Sequence, residues 1–464
     1  MHKLEIDRAM IKPNNKKTEL GIKNLFNRYR SLVLGSLAST FARGVQTVSL
    51  LIITGIAARY FTKEEFGLWA ILISFLYSGY ALDFGYRSAL TNRLTAMVAD
   101  SSGNANNKQR DFFLSIFYFQ FIIGFAGIAL IFFFGMYIPW GNILKIQQTS
   151  ILDYIGSLIT VILVILFLNA PLLCSSSGFS AYHELHIDSL LHAAQWIILM
   201  CVFGLINIYK MFSFPTMIIL FFVVFLLLGF IRLLFLFKRR KWTLVLVPIR
   251  EQWNNVKGIS RVSFDFFLLN ISAMTVSMGS TFLAGYLGGL AGAGDFSVVQ
   301  RLFTLLITAH MAFMSGFVPS FTQNARQGNW KGVLKKLNFN LYIVVPFLFI
   351  VLGGIVFLFH PFILKIWTGL SIKNYFLTGL FALYALLMGW ANTNSILLNS
   401  LGLVKAQALW SFAIAPMFLF LTFYFAKTLG VEGIALASVL SALPGVGYFT
   451  FYTRKAIKLR RINV

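Results

Sequence analysis

A cation is the costliest residue to place in an apolar stretch, and this chain of 464 residues has three arginines within such stretches: Arg43, Arg232 and Arg301. A lone guanidinium at the centre of a membrane-spanning helix costs about 2.5–3.5 kcal/mol on insertion scales, so one that is kept there faces water, a partner or a protein-lined cavity. At about 100° per residue, Ser36, Ser39, Thr40, Gln46, Thr47 and Thr54 all fall within about 60° of Arg43, giving one polar stripe along a helix. Such a stripe is either a cavity wall whose cation meets an anion or a hydrogen-bonded seam between helices. Gln300, Arg301, Thr304, Thr308 and Ser315 share an arc of about 100° on a later stretch. Arg301 is near enough to that stretch's end to snorkel to the surface instead. Arg232, Asp153 and Asp188 lie close to the ends of their runs and read as interfacial.

Four further ionisable residues are candidates for a gate or for ion coupling. Asp83 and Arg87 are four apart, a spacing that allows an ion pair on one helix face. Asp265 stands near the start of an apolar run. His310 lies about 180° from Arg301 on the same helix and has the side chain suited to carrying a proton, although a buried neutral histidine bonded to a neighbour is the commoner outcome. Asn392, Ser395 and Asn399 form a shorter polar edge of the kind that glues helices together.

Signatures of catalysis are absent from the sequence. It has no Gly-rich phosphate loop ending in Gly-Lys-Ser/Thr, no His-Glu-x-x-His, no paired Cys-x-x-Cys and no Gly-x-Ser-x-Gly, and only 15 acidic residues serve for acid/base work. Cys174 and Cys201 both sit in apolar stretches and imply neither a disulfide nor a metal framework. Transport is expected rather than an enzyme, with no cofactor.

The elements that must position these residues follow from hydropathy. The chain is 58% hydrophobic and 12% charged, with a mean hydropathy of +0.78, more apolar surface than a water-soluble core buries. Its apolar runs repeatedly reach the roughly 20 residues that cross a bilayer as a helix. Spans are predicted near 31–60, 66–90, 112–138, 150–177, 188–208 and 214–237, then near 262–288, 294–320, 338–360, 374–400, 407–428 and 432–453. The expected fold is therefore an all-α integral membrane protein with twelve transmembrane helices. It divides into a basic tail (1–30), a six-helix lobe (31–237), a basic linker (238–261), a second six-helix lobe (262–453) and a basic tail (454–464). Phe66-Gly67 and Asp295-Phe296-Ser297 fall at similar offsets in the two halves. With six spans each, the lobes are expected as parallel repeats around a central cavity. Pro171, Pro346, Pro416 and Pro444 interrupt spans and can kink them.

The net charge of +24 would point to nucleic acid in a soluble protein, but here the basic residues fall between apolar runs. With a cytoplasmic amino terminus, 29 of the 39 Lys and Arg lie on the cytoplasmic side and 7 on the other. That bias places both termini in the cytoplasm.

Four stretches carry a family likeness. Ala58-Arg59-Tyr60-Phe61-Thr62-Lys63-Glu64-Glu65-Phe66-Gly67-Leu68-Trp69, followed by Leu82-Asp83-Phe84-Gly85-Tyr86-Arg87-Ser88-Ala89-Leu90, resembles the opening two helices of Wzx-type polysaccharide and O-antigen flippases. These belong to the multidrug/oligosaccharidyl-lipid/polysaccharide exporter superfamily. Asn399-Ser400-Leu401-Gly402 and Leu429-Gly430-Val431-Glu432-Gly433-Ile434-Ala435-Leu436-Ala437 look like that superfamily's tenth-span end and twelfth-span start. The resemblance implies two lobes around a cationic cavity, alternating access, and a polyprenyl diphosphate-linked glycan as cargo, with Arg43 matching the cation found on a lobe's first helix.

The expected function is translocation of an undecaprenyl diphosphate-linked oligosaccharide, such as an O-antigen repeat unit, across the bacterial inner membrane. Arg43, Thr40, Thr47, Gln46, Arg301, Gln300 and Thr304 would line the cavity; Asp83, Arg87, Asp265 and His310 would gate it or couple it to a proton or sodium ion. Membrane lipids and other polysaccharide-assembly proteins are the expected partners. The main rival is a cation-coupled multidrug exporter of the same superfamily, which would favour acidic cavity residues. A membrane glycosyltransferase or polymerase would need a large outer loop or a set of catalytic carboxylates, and a structural scaffold would not need polar stripes.

Overall fold

The structure, a computed structural model, describes residues 15–78, 82–99, 105–209, 213–401 and 403–462. Residues 1–14 of the basic tail, Gly402 and the side chains of Ser36, Arg460 and Arg461 lie outside what is described. Among the described residues the chain is a succession of helices with no strand. The first half runs through α1 (Asn15–Tyr60), α2 (Lys63–Ser78), α3 (Tyr86–Ala99), α4 (Ala105–Phe134), α5 (Trp140–Ile143), α6 (Thr149–Leu172), α7 (Cys174–Ala181), α8 (Leu185–Tyr209) and α9 (Phe214–Arg240). The second half runs through α10 (Ile249–Ser277), α11 (Gly279–Ser315), α12 (Val318–Arg326), α13 (Trp330–Phe339), α14 (Gly353–Thr368), α15 (Tyr375–Ser400), α16 (Val404–Leu429) and α17 (Val431–Ile462). Ten helical stretches among these residues are long and apolar enough to cross a bilayer, as expected of an all-α integral membrane protein.

Two elements differ from the boundaries that hydropathy predicts. Helix α1 starts at Asn15, well before the predicted span, because Lys16 to Arg30 contains no proline and mostly good helix formers, and an existing helix propagates at little cost. The predicted span 66–90 is not continuous: α2 ends at Ser78 and the chain restarts at Tyr86 through a turn in which Phe84 has φ 48° and Gly85 φ 77°. Asp83 holds that turn, accepting a hydrogen bond from Gly85 N at 2.6 Å, while its main-chain oxygen accepts from Gln120 Nε2 at 2.8 Å. The chain doubles back at Gly289, in the gap between the predicted spans 262–288 and 294–320, and its φ of 76° and ψ of 173° are closed to residues with a Cβ. A side chain at Gly285 would meet Ala293 and Thr281 bonds Gln300, so the two arms lie antiparallel.

Between Pro346 and Leu352 the helix takes the wider π form. Pro346 supplies no N–H to the ladder, which favours that local rearrangement.

Each half packs mainly on itself. Helix α1 lies along α8, α6 lies between α4 and α9, and α17 packs on both α15 and α16. Aromatic side chains fill the first half: Trp69 of α2 sits 5.3 Å, ring centre to ring centre, from both Phe203 of α8 and Phe221 of α9. Such tilted and edge-on pairs contribute about 0.5–1.5 kcal/mol each beyond their buried area. The halves meet through α2 and α11 at one end and through α3 and α10 at the other. At the first contact Gly67 approaches so closely that a Cβ would lie 1.7 Å from the Leu290 carbonyl oxygen. Gly67 and Gly294, from the two stretches whose offsets match, face each other there. At the second contact a Cβ on Gly85 would lie 2.1 Å from the Ser263 carbonyl oxygen, Phe84 stacks on Phe267 at 5.2 Å, and the Tyr86 and Ser260 hydroxyls are 3.0 Å apart.

Candidate functional site

Between these two contacts lies a cavity of about 420 Å³ walled by both halves. Helix α1 contributes Arg43, Gln46 and Thr47 above an apolar shelf of Leu50 and Leu51; α2 contributes Ala70, Ile73 and Ser74. From the second half come Ser277, Met278 and Thr281 around the α10–α11 junction, the returning arm of α11 from Ser297 to Thr308, and Tyr384 and Met388 of α15.

Helical periodicity explains the wall. Residues 43, 46, 47 and 50 recur at the three- and four-residue spacing of one helix face, as do 297, 300, 301, 304 and 308. The hydroxyls of Thr304 and Thr308 donate to the carbonyls of Gln300 and Thr304 at 2.9 and 2.8 Å. Back-bonding of this kind satisfies the donors and leaves each hydroxyl oxygen as an acceptor only. Gln300 is committed to the fold: its Nε2 donates to Ser277 O at 3.2 Å and Ser280 Oγ at 3.1 Å, and its Oε1 accepts from Thr281 at 3.2 Å. It ties the arms of the hairpin together and so places Arg301 beside it. Arg301 in turn donates to Thr54 Oγ1 of α1, a bond across the halves.

The electrostatics of this space are one-sided. Arg43 enters from the first half and is exposed, Arg301 enters from the second half and is half-buried, and among the described lining residues none is acidic. With a guanidinium group from each half and no described acid, the wall is suited to an anion bearing several acceptor oxygens.

Six of the seven residues predicted for the cavity thus line one space: Arg43, Gln46, Thr47, Gln300, Arg301 and Thr304. Thr40 is exposed on α1 outside the lining. The four residues considered for gating or coupling do not line it. Asp83 and Arg87 form the expected ion pair at 3.5 Å, although across the turn that starts α3 rather than along a helix. Asp265 is exposed on α10. His310 is buried, with its Nε2 3.3 Å from Thr393 Oγ1 and its ring 5.5 Å from that of Phe349. Ser395, Asn399 and Gln407 bond one another between α15 and α16, the packing role expected of that polar edge.

A polar cluster inside the first half departs from the interfacial reading of Asp188 and Arg232. Arg232 is 7% exposed, lies 3.9 Å from Asp188 and donates to Gln195 Oε1, while Asp188 accepts from Ser176 at 2.6 Å. Gln46 meets the same helix through His192 Nε2 at 3.3 Å. A signal for this was present: Asp188, His192 and Gln195 fall within about 60° on α8, but distance from the ends of the apolar run outweighed it.

No protein-family model and no curated protein sequence matches the chain. Its fold matches solved structures over nearly its whole length. One is a multidrug resistance MATE family transporter of the MOP superfamily in an inward-facing conformation, with a TM-score of 0.68 at 13% identity, covering 92% of this chain and 99% of that one. Another is the lipid II flippase MurJ in an inward closed conformation, with a TM-score of 0.68 at 17% identity, covering 93% and 90%. A third is a MOP superfamily transporter from Pyrococcus furiosus described as having a binding pocket of reversed polarity, with a TM-score of 0.63 at 12% identity, covering 94% and 97%.

Proposed function

We propose that this chain is a flippase that moves an undecaprenyl diphosphate-linked oligosaccharide across a bacterial inner membrane by alternating access. The observation that carries the reading is a cavity walled by Arg43 and Arg301, one from each half, with no carboxylate among its described lining residues. A diphosphate oxygen about 4 Å from a guanidinium gains about 4 kcal/mol at an effective dielectric constant near 20. The same wall repels a cationic drug by a similar amount. Unaided, the charged headgroup and its sugars would have to shed their water to cross hydrocarbon, and the cavity replaces that water with hydroxyls, carboxamides and guanidinium groups.

In this reading two six-helix lobes, 31–237 and 262–453, rock about the cavity, with both termini and the linker 238–261 on the cytoplasmic face. The diphosphate bridges Arg43 and Arg301, Gln46, Thr47 and Thr304 bond the proximal sugar, and the prenyl chain stays in lipid. Touching of the halves at both ends of the cavity supports the reading, since a carrier passes through a state closed on both sides. The fold fits lipid-linked cargo and drugs equally; the sign of the wall favours the former. The chemistry is transport rather than catalysis.

Calorimetry of the purified protein with farnesyl diphosphate and with ethidium separates the two readings. Binding of the diphosphate that weakens at least tenfold in Arg43→Ala is expected; binding of ethidium with none of the diphosphate would refute the assignment. In cells, Arg43→Ala should leave the lipid-linked unit on the inner leaflet and deplete surface glycan.

A further inference from the structure

The segment that joins the two halves has an outer face unlike a soluble loop. Between α9 and α10 the connector buries Trp242 and Val247, whereas Leu244 is 67% and Leu246 92% exposed. The first turns of α10 continue the outward apolar row with Ile249 at 84% and Trp253 at 62% exposure, one helical turn apart. The connector is bonded along the first half of α4: Trp242 Nε1 donates to Asn106 Oδ1 at 2.9 Å, and the Tyr118 hydroxyl donates to Val245 O at 3.0 Å. Because α4 turns apolar only after Asp111, the bonds from Trp242 to Asn106 and from Arg110 to Thr243 at 3.5 Å hold the connector near the level where a span leaves hydrocarbon, and its outer row is held with it.

Charge around that row is of one sign. Residues 238–261 contain seven Lys and Arg and one acid, Glu251. Arg239 and Arg240 pair with Glu184, while Lys238, Lys241, Arg250 and Lys257 are exposed beside the apolar row. An apolar strip flanked by cations at the end of a membrane span is the pattern of a segment lying in the headgroup layer of an anionic leaflet. A soluble protein partner would have to displace lipid already next to the strip.

We propose that residues 241–253 form an interfacial anchor that sinks Leu244, Leu246, Ile249 and Trp253 into the acyl boundary of an anionic leaflet, with the flanking cations on phospholipid headgroups. The anchor holds the covalent link between the halves at a fixed depth, which makes anionic phospholipid a determinant of how the halves move. It does not depend on the cargo.

The test uses full-length protein carrying Cys201→Ser, which leaves the buried Cys174, and Leu246→Cys labelled with an environment-sensitive fluorophore. The protein is reconstituted in phosphatidylcholine with or without phosphatidylglycerol. Quenching of the label by spin-labelled acyl chains is expected, at least twofold stronger with phosphatidylglycerol, and Lys241→Glu with Arg250→Glu should remove that lipid dependence. A label at Gln327→Cys, on an exposed turn, should respond to aqueous iodide instead. Iodide quenching at position 246 equal to that at 327 in both lipids would overturn the proposal, as would shielding that appears only when a soluble protein fraction is added.

Discussion

Arginine occurs in two settings inside this protein. Arg232 is sealed among α7, α8 and α9, with Asp188 and Gln195 as partners; Arg43 and Arg301 stand in the wall of a cavity whose described lining contains no acid. A buried guanidinium costs several kcal/mol to desolvate, and an internal carboxylate offsets that cost only when the geometry is good. At Arg232 the chain supplies the compensation itself. At the cavity no described acid lines the wall, and Arg301 is held by a neutral partner, the Thr54 hydroxyl. The difference separates an arginine neutralised inside one half from two that face a shared cavity, the pair proposed above to meet cargo.

The largest effect is expected where the internal compensation is removed. Asp188→Ala leaves Arg232 buried beside one amide and should lower stability by about 3–5 kcal/mol, read as a fall in the thermal unfolding midpoint in detergent. Asp188→Leu combined with Arg232→Met should recover most of that loss, since apolar replacement of a buried pair is often neutral or better. A double variant as unstable as the single one would show that the pair has a role beyond packing.

Next comes the contact that closes one end of the cavity. Gly67→Ala puts a Cβ 1.7 Å from the Leu290 oxygen and should cost about 1–3 kcal/mol by forcing the α2–α11 contact apart. Disulfide trapping between cysteines placed at positions 66 and 294 should fall in parallel. Arg43→Lys keeps the charge and loses the planar fork, so diphosphate binding should weaken about tenfold, near 1.4 kcal/mol, with the unfolding midpoint unmoved. If that variant unfolds like Asp188→Ala, Arg43 belongs with Arg232 and the comparison fails. Smallest of all, Thr47→Val should change binding by about 1 kcal/mol or less, the net value of one hydrogen bond.

Much of the cavity was legible in advance because a helix repeats every 3.6 residues, so position along the chain fixes which side chains share a face. Arg43 with Gln46 and Thr47, and Arg301 with Gln300 and Thr304, were grouped on that ground. What periodicity does not carry is the partner across the gap. Asp188 and Arg232 are 44 residues apart on separate helices, and only packing shows that their faces meet. Likewise the break at Phe84-Gly85 falls within one predicted span, where a φ value, not apolar length, decides direction, whereas the reversal at Gly289 falls in the gap between two predicted spans.

Composition and the order of apolar runs alone determined that this protein is helical and lives in a bilayer, since no other solvent suits that surface. They also determined which polar residues share each helix face, since backbone geometry is local. The tertiary structure decided that the faces of Arg43 and Arg301 enclose one space, that the face of Arg232 does not, and that Gln300 braces a hairpin instead of standing open. Those outcomes depend on contacts between residues distant in sequence, and the energy of such contacts is set by packing geometry that no local pattern encodes.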